Sequence, residues 1–451
     1  MSASQGWLLI VVSHAILLAW PALTVILAGV AGRYTAVRGV TAVNELPAGG
    51  ASPSQFWIVI PALNEEVVVA ATVGAALGLR GPVNTQVRVL VIDDGSDDRT
   101  PEILASIGHP RLHILRRDLP LARQGKGEAL NAAYRLIAAR AAEEGIDPER
   151  VVIGIIDGDG QGSPNLLIEV SRRMRDPKVG ALQCQVRIRN RSRLLGAVQD
   201  LEFGAVVNAF QRVRDDLDTV GLGGNGQFTR LGALLTLGHS PWSACLVEDL
   251  ELGIRMHLSG LSIRYTTRAS VTQQAVVDVR RLTRQRTRWA QGNIQCARYL
   301  PQLVTSPVIR ARALAEMLHY LLSPWANAVI SLVLAVMTSA GVAGLLADQP
   351  MSFLPTWGSL ASMAGVWLAA TLFPGFVWAL VHRRRLGDES LIRLIVAAFA
   401  YPAFLLLGLV ATYRAVFRHA AGRQTWAKTE RLTEELTPQV IGVATPLAIA
   451  A

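Results

Sequence analysis

The stretch Val151-Val152-Ile153-Gly154-Ile155-Ile156-Asp157-Gly158-Asp159 is an apolar run that stops abruptly in two carboxylates separated by one glycine. Six apolar or small residues without alternation read as a strand buried on both faces, the kind found in parallel sheets. Such a strand delivers its acids to the carboxyl edge of the sheet. Side chains alternate along a strand, but a turn at Gly158 can bring Asp157 and Asp159 toward one ion. Oxygen ligands of this kind suit Mg²⁺ or Mn²⁺, and a bound divalent ion would favour a pyrophosphate. An isolated Asp-x-Asp is more often a solvated turn, so the reading rests on its surroundings.

Working outward, short β-rich runs alternate with longer helical ones. Phe56 to Ile60 reads as a strand, Glu65 to Leu79 as a helix and Gln86 to Ile92 as a second strand. Leu112 to Leu115 is a third, a helix begins near Glu128, and the fourth strand ends at Asp157. This alternation predicts a doubly wound, mostly parallel α/β sheet, whose ligands bind beyond the strands' carboxyl ends. Asn64-Glu65-Glu66, Asp93-Asp94-Gly95-Ser96 and Asp157-Gly158-Asp159 all fall there.

The 51% hydrophobic content of the 451 residues points to a membrane component beside this domain. Trp7 to Ala31 is almost uniformly apolar, enough for one crossing at ~20 residues per span, and is too long for a typical signal-peptide core. A retained anchor over residues 1–32 and a Pro/Gly-bearing linker over 33–54 are therefore expected. Residues 305–325 read as an interfacial helix ended by Pro324, and residues 326–413 hold two to three spans. Hydropathy and charge disagree about the last of these, Leu391 to Tyr413. His382-Arg383-Arg384-Arg385 and the basic 414–451 tail argue that both ends stay inside. A re-entrant or interfacial course at Pro402 would reconcile them, although three full spans is the slightly favoured count.

The net charge of +10 fits basic residues flanking apolar runs, with Arg280, Arg281, Arg284, Arg286 and Arg288 crowded before the membrane segments. No nucleic-acid-binding module is evident. Cys184, Cys245 and Cys296 are far apart in sequence and read as reduced thiols.

Four further clusters carry chemistry. Asp93 and Asp94, as ionised acceptors, can take hydrogen bonds from a nucleoside, or can simply form a capped turn. Lys126 between two glycines at a helix start can meet phosphate, though the P-loop spacing is absent. Glu248-Asp249 is either a dipole-matched helix start or a general base. Gln285-Arg286-Thr287-Arg288-Trp289 offers a flat aromatic face and a bidentate phosphate partner, or an interfacial basic stretch. The glycine-rich Gly221 to Arg230 stretch is either a tight loop or a close approach to an acceptor, with Asn225 as a contact.

From Phe56 to about Leu300 the chain resembles the membrane-bound family 2 glycosyltransferases of the cellulose, chitin and hyaluronan synthase type. The resemblance rests on the order Pro61-Ala62-Leu63-Asn64-Glu65, Asp93-Asp94-Gly95-Ser96, Gly125-Lys126, Asp157-Gly158-Asp159, Glu248-Asp249 and Gln285-Arg286-x-Arg288-Trp289. Val247 and Gly158 depart from the usual threonine and alanine. Trp426-Ala427-Lys428-Thr429 resembles an element of some bacterial relatives and favours a cytoplasmic tail.

The resemblance implies a GT-A domain over residues 55–304, cytoplasmic, between an N-terminal transmembrane helix and a C-terminal helical membrane region of the plasma membrane. It implies that Asp94, with Asp93, holds uridine and that Glu65 and Lys126 contact substrate. Asp157 would bridge ribose and metal, and Asp159 would be the more direct ligand of Mg²⁺ or Mn²⁺. Asp249 would be the base with Glu248 beside it, while Gln285, Arg288 and Trp289 hold the diphosphate and frame the acceptor. The implied activity is inverting transfer from a UDP-sugar to a growing β-linked polysaccharide, with oligomerisation where one chain is too small for a pore. Transfer of one or a few sugars to a lipid acceptor is the alternative. A non-catalytic nucleotide-sugar-binding subunit is a third reading, disfavoured because a binding module needs no base.

Overall fold

The computed structural model describes residues 19, 22–30, 52–346 and 357–423. Most of the expected anchor, the linker as far as residue 51 and the Trp426 to Thr429 element lie outside the described residues; residues 22–30 are helical.

Eight strands form one sheet: β1 (Gln55–Ala62), β2 (Gln86–Asp93), β3 (Leu112–Arg116), β4 (Val151–Ile155), β5 (Gln161–Gly162), β6 (Val179–Ile188), β7 (Gln227–Arg230) and β8 (Ser262–Gln273). Their order is β3-β2-β1-β4-β7-β6-β8-β5. The half from β3 to β4 is parallel throughout, as the strand–helix alternation predicts. The other half corrects the expectation of a mostly parallel sheet. β7 lies antiparallel between β4 and β6, β8 returns parallel to β6, and β5 closes the edge antiparallel to β8. The sheet is therefore mixed. Its second half arises because the chain inserts a late strand, β7, beside β4 from the opposite direction.

Alternation along the strands sorts the core into two layers. Phe56, Ile58 and Ile60 face the layer under the helices Val69–Gly78 and Leu166–Arg173, with Val89, Val91 and Val152. Trp57, Val59, Leu90, Ile153 and Ile155 face the helix Lys126–Glu143 through Ala129, Leu130 and Ile137. Both faces are covered, which is why these strands lack a polar side. Gly154 pairs with Phe228 across the β4–β7 ladder, and a Cβ there would collide with the Phe228 ring.

Among the described residues three helices are long and apolar enough to cross a membrane: Ala311–Met337, Ala364–Arg385 and Leu391–Ala420. Pro324 does not end a separate interfacial helix, since one continuous helix runs Ala311–Leu346 with Pro324 inside it. A proline removes one backbone bond, and the turns on either side keep theirs. The three cysteines are free, and the sulfurs of Cys245 and Cys296 come within 3.9 Å of each other.

Candidate active site

The carboxyl ends of β1, β2 and β4 open onto one cavity of about 830 Å³. Glu65, Asp94, Lys126, Asp157, Asn225, Glu248 and Asp249 line its deep end, at the strand edges, and Gln285, Arg288 and Trp289 stand on its wall. The fold thus gathers ten of the twelve residues singled out in the sequence, drawn from positions 65 to 289, around one space.

Lys126 is its electrostatic centre. The first residue of its helix, it extends Nζ to 2.7 Å from Asp157 Oδ1, 3.2 Å from the Gly224 carbonyl and 3.4 Å from Glu248 Oε1. Burial pulls its pKa down, but Asp157, Glu248 and Asp249 outweigh that and hold the ammonium above the usual lysine range. Gly224 brings backbone into this cluster: a Cβ there would lie 2.8 Å from Lys126 Nζ and 3.4 Å from Asp249 Oδ2. The glycine-rich loop before β7 is therefore a close approach to the acids.

Asp249 lies in the first turn of the helix Glu248–Leu258, and one oxygen accepts from the Leu250 amide at 2.8 Å. Burial first, then the adjacent Glu248 charge, pushes its pKa up to about 6 against the pull of Lys126. A carboxylate so poised holds and releases a proton near neutral pH, as a general base requires.

The Asp93-Asp94 pair divides. Asp94 faces the cavity, held at 2.6 Å by Arg117 and at 3.1 Å by the Arg123 amide; burial outweighs these partners and raises its pKa. Asp93 is buried away from the cavity lining, where it pairs with Arg116 and accepts from the Ser96 amide at 3.0 Å. It braces the turn that presents Asp94.

Asp157 and Asp159 divide in the same way. The Asp157 amide donates to Asn225 Oδ1 at 3.2 Å while its carboxylate meets Lys126. Asp159 is 1% exposed and absent from the cavity lining; its Oδ2 accepts from the Gln274 amide at 2.9 Å, and Arg189 donates to its carbonyl at 2.8 Å. Among the described residues no cluster of three His, Cys, Asp or Glu side chains forms a protein-only metal cage. A small divalent ion needs only one or two carboxylates where substrate phosphates complete its shell, and cavity-facing Asp157 suits that role.

Toward the membrane helices the wall becomes aromatic and basic. Arg286 lies 4.6 Å from the Trp289 ring centroid and pairs with Glu202 at 2.5 Å. Arg288 donates to the Leu246 carbonyl at 3.0 Å. Phe203, Phe210, Tyr320, Pro324 and Asn327 carry the lining onto the Ala311–Leu346 helix. Glu202 opens a π-helical turn, Glu202–Val207, a geometry frequent at functional sites.

Sequence reasoning missed Arg117, Arg123, Glu202 and Tyr320. Arg116-Arg117 at the end of a strand opposite the Asp93-Asp94 turn was the available signal for the first. Glu202 and Tyr320 had none, being placed by tertiary packing.

Residues 53–292 match the family model described as "Glycosyltransferase like family 2". The beta-monoglucosyldiacylglycerol synthase of Trichormus variabilis is 32% identical over 272 residues, 59% of this chain and 54% of that protein. A poly-beta-1,6-N-acetyl-D-glucosamine synthase of Staphylococcus epidermidis is 29% identical over 242 residues, 51% of this chain and 52% of that protein. The match spans about half the length of these curated relatives. The mannosyltransferase PcManGT from Pyrobaculum calidifontis, solved with GDP-Man and Mn²⁺, superposes with a TM-score of 0.54 at 17% identity, covering 86% of this chain and 98% of that one. That likeness shows a GT-A-type fold.

Proposed function

The chain belongs to glycosyltransferase-like family 2, and from that premise we propose that it transfers a hexosyl or N-acetylhexosaminyl group from a UDP-sugar, with inversion, to a hydroxyl presented from the membrane. The observation that carries this reading is the single cavity running from Asp94 and Asp157 to Tyr320, Pro324 and Asn327 of an apolar helix. A wholly aqueous acceptor needs no such route. The acceptor best suited to it is a membrane lipid bearing a free hydroxyl, in line with the glucolipid named for the Trichormus relative. Extension of a β-linked polysaccharide is the second reading, supported by the polymer named for the Staphylococcus relative.

In this mechanism Asp94, steadied by Arg117 and the Arg123 amide, accepts from the nucleoside. Asp157, facing the cavity, would hold Mg²⁺ or Mn²⁺, and such an ion would supply charge neutralisation at the leaving group. Lys126 and Arg288 add fixed positive charge where the diphosphate leaves. Asp249 takes the proton of the acceptor hydroxyl as its oxygen attacks the anomeric carbon, and the carbon–oxygen bond to the diphosphate breaks on the opposite face. One displacement inverts that carbon, so an α-linked donor gives a β-linked product. Trp289, its ring faced by the Arg286 guanidinium, frames the acceptor. Residues 55–304 form the catalytic unit in this reading. The arginines from Arg280 to Arg288 favour its placement on the cytoplasmic side of the membrane.

The test is purified full-length protein in nanodiscs, given a panel of UDP-sugars, Mn²⁺ and diacylglycerol. UDP release together with an organic-extractable glycolipid is the expected result. A water-soluble sugar ladder would transfer the assignment to the polymer reading, and intact donor throughout, with acceptor present, would reject transfer from UDP-sugars.

A further inference from the structure

Leu391–Ala420 meets the length and hydropathy of a spanning helix, yet its start, middle and end all touch the α/β domain. The preceding helix, Ala364–Arg385, brings His382 Nε2 to 2.9 Å from Asp200 Oδ2, and the following loop ties Asp388 to Arg187 and Arg191 at 3.0 Å each. The last helix therefore begins against the domain. Its Leu394, Ala397, Ala398 and Tyr401 pack with Val198, Leu201 and Leu282. At its middle, Phe404 lies 5.3 Å from the Arg286 guanidinium, the same group that covers Trp289. Past its end, the Arg423 carbonyl accepts from Gln291 Nε2 at 2.6 Å, while Arg418 Nε donates to Gln291 Oε1 at 3.3 Å. Arg286 and Gln291 both belong to the helix Val279–Cys296, which the last helix accompanies.

A crossing helix cannot do this. Its 30 residues extend ~45 Å at 1.5 Å per residue, more than the ~30 Å hydrocarbon core, so a crossing would carry one end to the opposite face. Here both ends are bonded to polar side chains of one domain. The face turned away from that domain is apolar along its length: Ile392 is 76% exposed and Phe417 72%, with Phe399, Leu406 and Val410 between them. These positions recur at sevens and a four, one stripe of a helix. Phe399 also meets Phe376 of the Ala364–Arg385 helix at 5.0 Å between ring centroids, so the stripe adjoins a helix suited to crossing. Exposed Arg414 accompanies it, as it would beside anionic headgroups.

We propose that Leu391–Ala420 lies in the plane of the bilayer with its outer stripe sunk into the leaflet on the α/β domain's side. Ala311–Met337 and Ala364–Arg385 then form an out-and-back pair, and Arg423 emerges on the side where the acids lie. This arrangement removes the conflict between hydropathy and the basic tail. It also makes the leaflet a structural wall behind Arg286 and Trp289.

Full-length protein in spheroplasts and in inverted vesicles, carrying one added cysteine at a time, tests this with a membrane-impermeant maleimide. Lys178→Cys reports the side of the α/β domain, and Arg384→Cys and His419→Cys the two ends in question. All three are expected to label from the same side, with none from the other. Labelling of His419→Cys from the side opposite to Lys178→Cys would overturn the proposal. Protease protection of a C-terminal tag on the otherwise unaltered chain reads the same outcome without the substitutions. Bimane on Leu406→Cys, Ile392→Cys and Phe417→Cys, quenched by doxyl lipids, should report one common shallow depth. A bilayer-centre position for Leu406 between two surface positions would also overturn it.

Discussion

At its deep end the cavity is walled by charges fixed to strand ends and helix starts: Asp94, Lys126, Asp157 and Asp249. At its outer end it is walled by rings and by the Arg286–Glu202 pair, all on helices that also touch the apolar segments. The deep end is tied together through Lys126, which meets Asp157, Glu248 and a backbone carbonyl. The outer end is shaped by packing. Under the proposed function, bond making and acceptor choice fall to separate walls, so substitutions in each should fail differently.

The sharpest way to break this contrast is Asp249→Asn. Losing the base should lower kcat by about 10²–10⁴ while UDP binding by calorimetry stays near wild type. Wild-type turnover would remove Asp249 from the chemistry. Next comes the pair Asp157→Asn and Asp159→Asn. The first should weaken Mn²⁺-dependent UDP-sugar binding about 10- to 100-fold, the worth of a charged contact, with little change in Tm. The second should cost about 1–3 kcal/mol of stability, seen in thermal melts, because it disturbs a buried acceptor of the Gln274 amide. Equal effects on donor binding would erase the division between these two acids.

At the outer end, Trp289→Ala should raise the acceptor KM about tenfold and leave the donor KM near wild type, with Trp289→Phe restoring most of the loss. A donor-side defect of the same size would merge the two walls. The smallest effect is on pH. As the proposed base, Asp249 would have to be ionised to act, so kcat/KM should rise with pH through an apparent pKa of about 6. Lys126 lowers that pKa and Glu248 raises it. Lys126→Met should therefore move the acid limb up by about one unit and Glu248→Gln should move it down. A limb that ignores both variants would place the titrating group elsewhere.

Much of the deep end was legible before any coordinates. Asp94, Asp157 and Lys126 sit where a strand run meets a turn or a helix start, and these are local signals of a few residues. Their partners were less legible. Asp93 and Asp159 look identical to their neighbours in sequence, and only packing turns them toward Arg116 and the Gln274 amide. The Gly221 to Gly226 loop announced a tight approach, but its neighbours Lys126 and Asp249 come from distant segments.

By itself the sequence determined the parallel half of the sheet, the acids at its edge and apolar C-terminal stretches read as two to three spans. These depend on side-chain periodicity, turn chemistry and transfer free energy, all readable within a short window. Only the tertiary structure decided that β7 enters antiparallel, that one acid of each pair faces the cavity, and that the last apolar helix lies along the α/β domain. Hydropathy measures how readily a segment leaves water. Whether lipid or protein receives it depends on contacts with residues such as Asp200 and Gln291, reached only through long-range pairing.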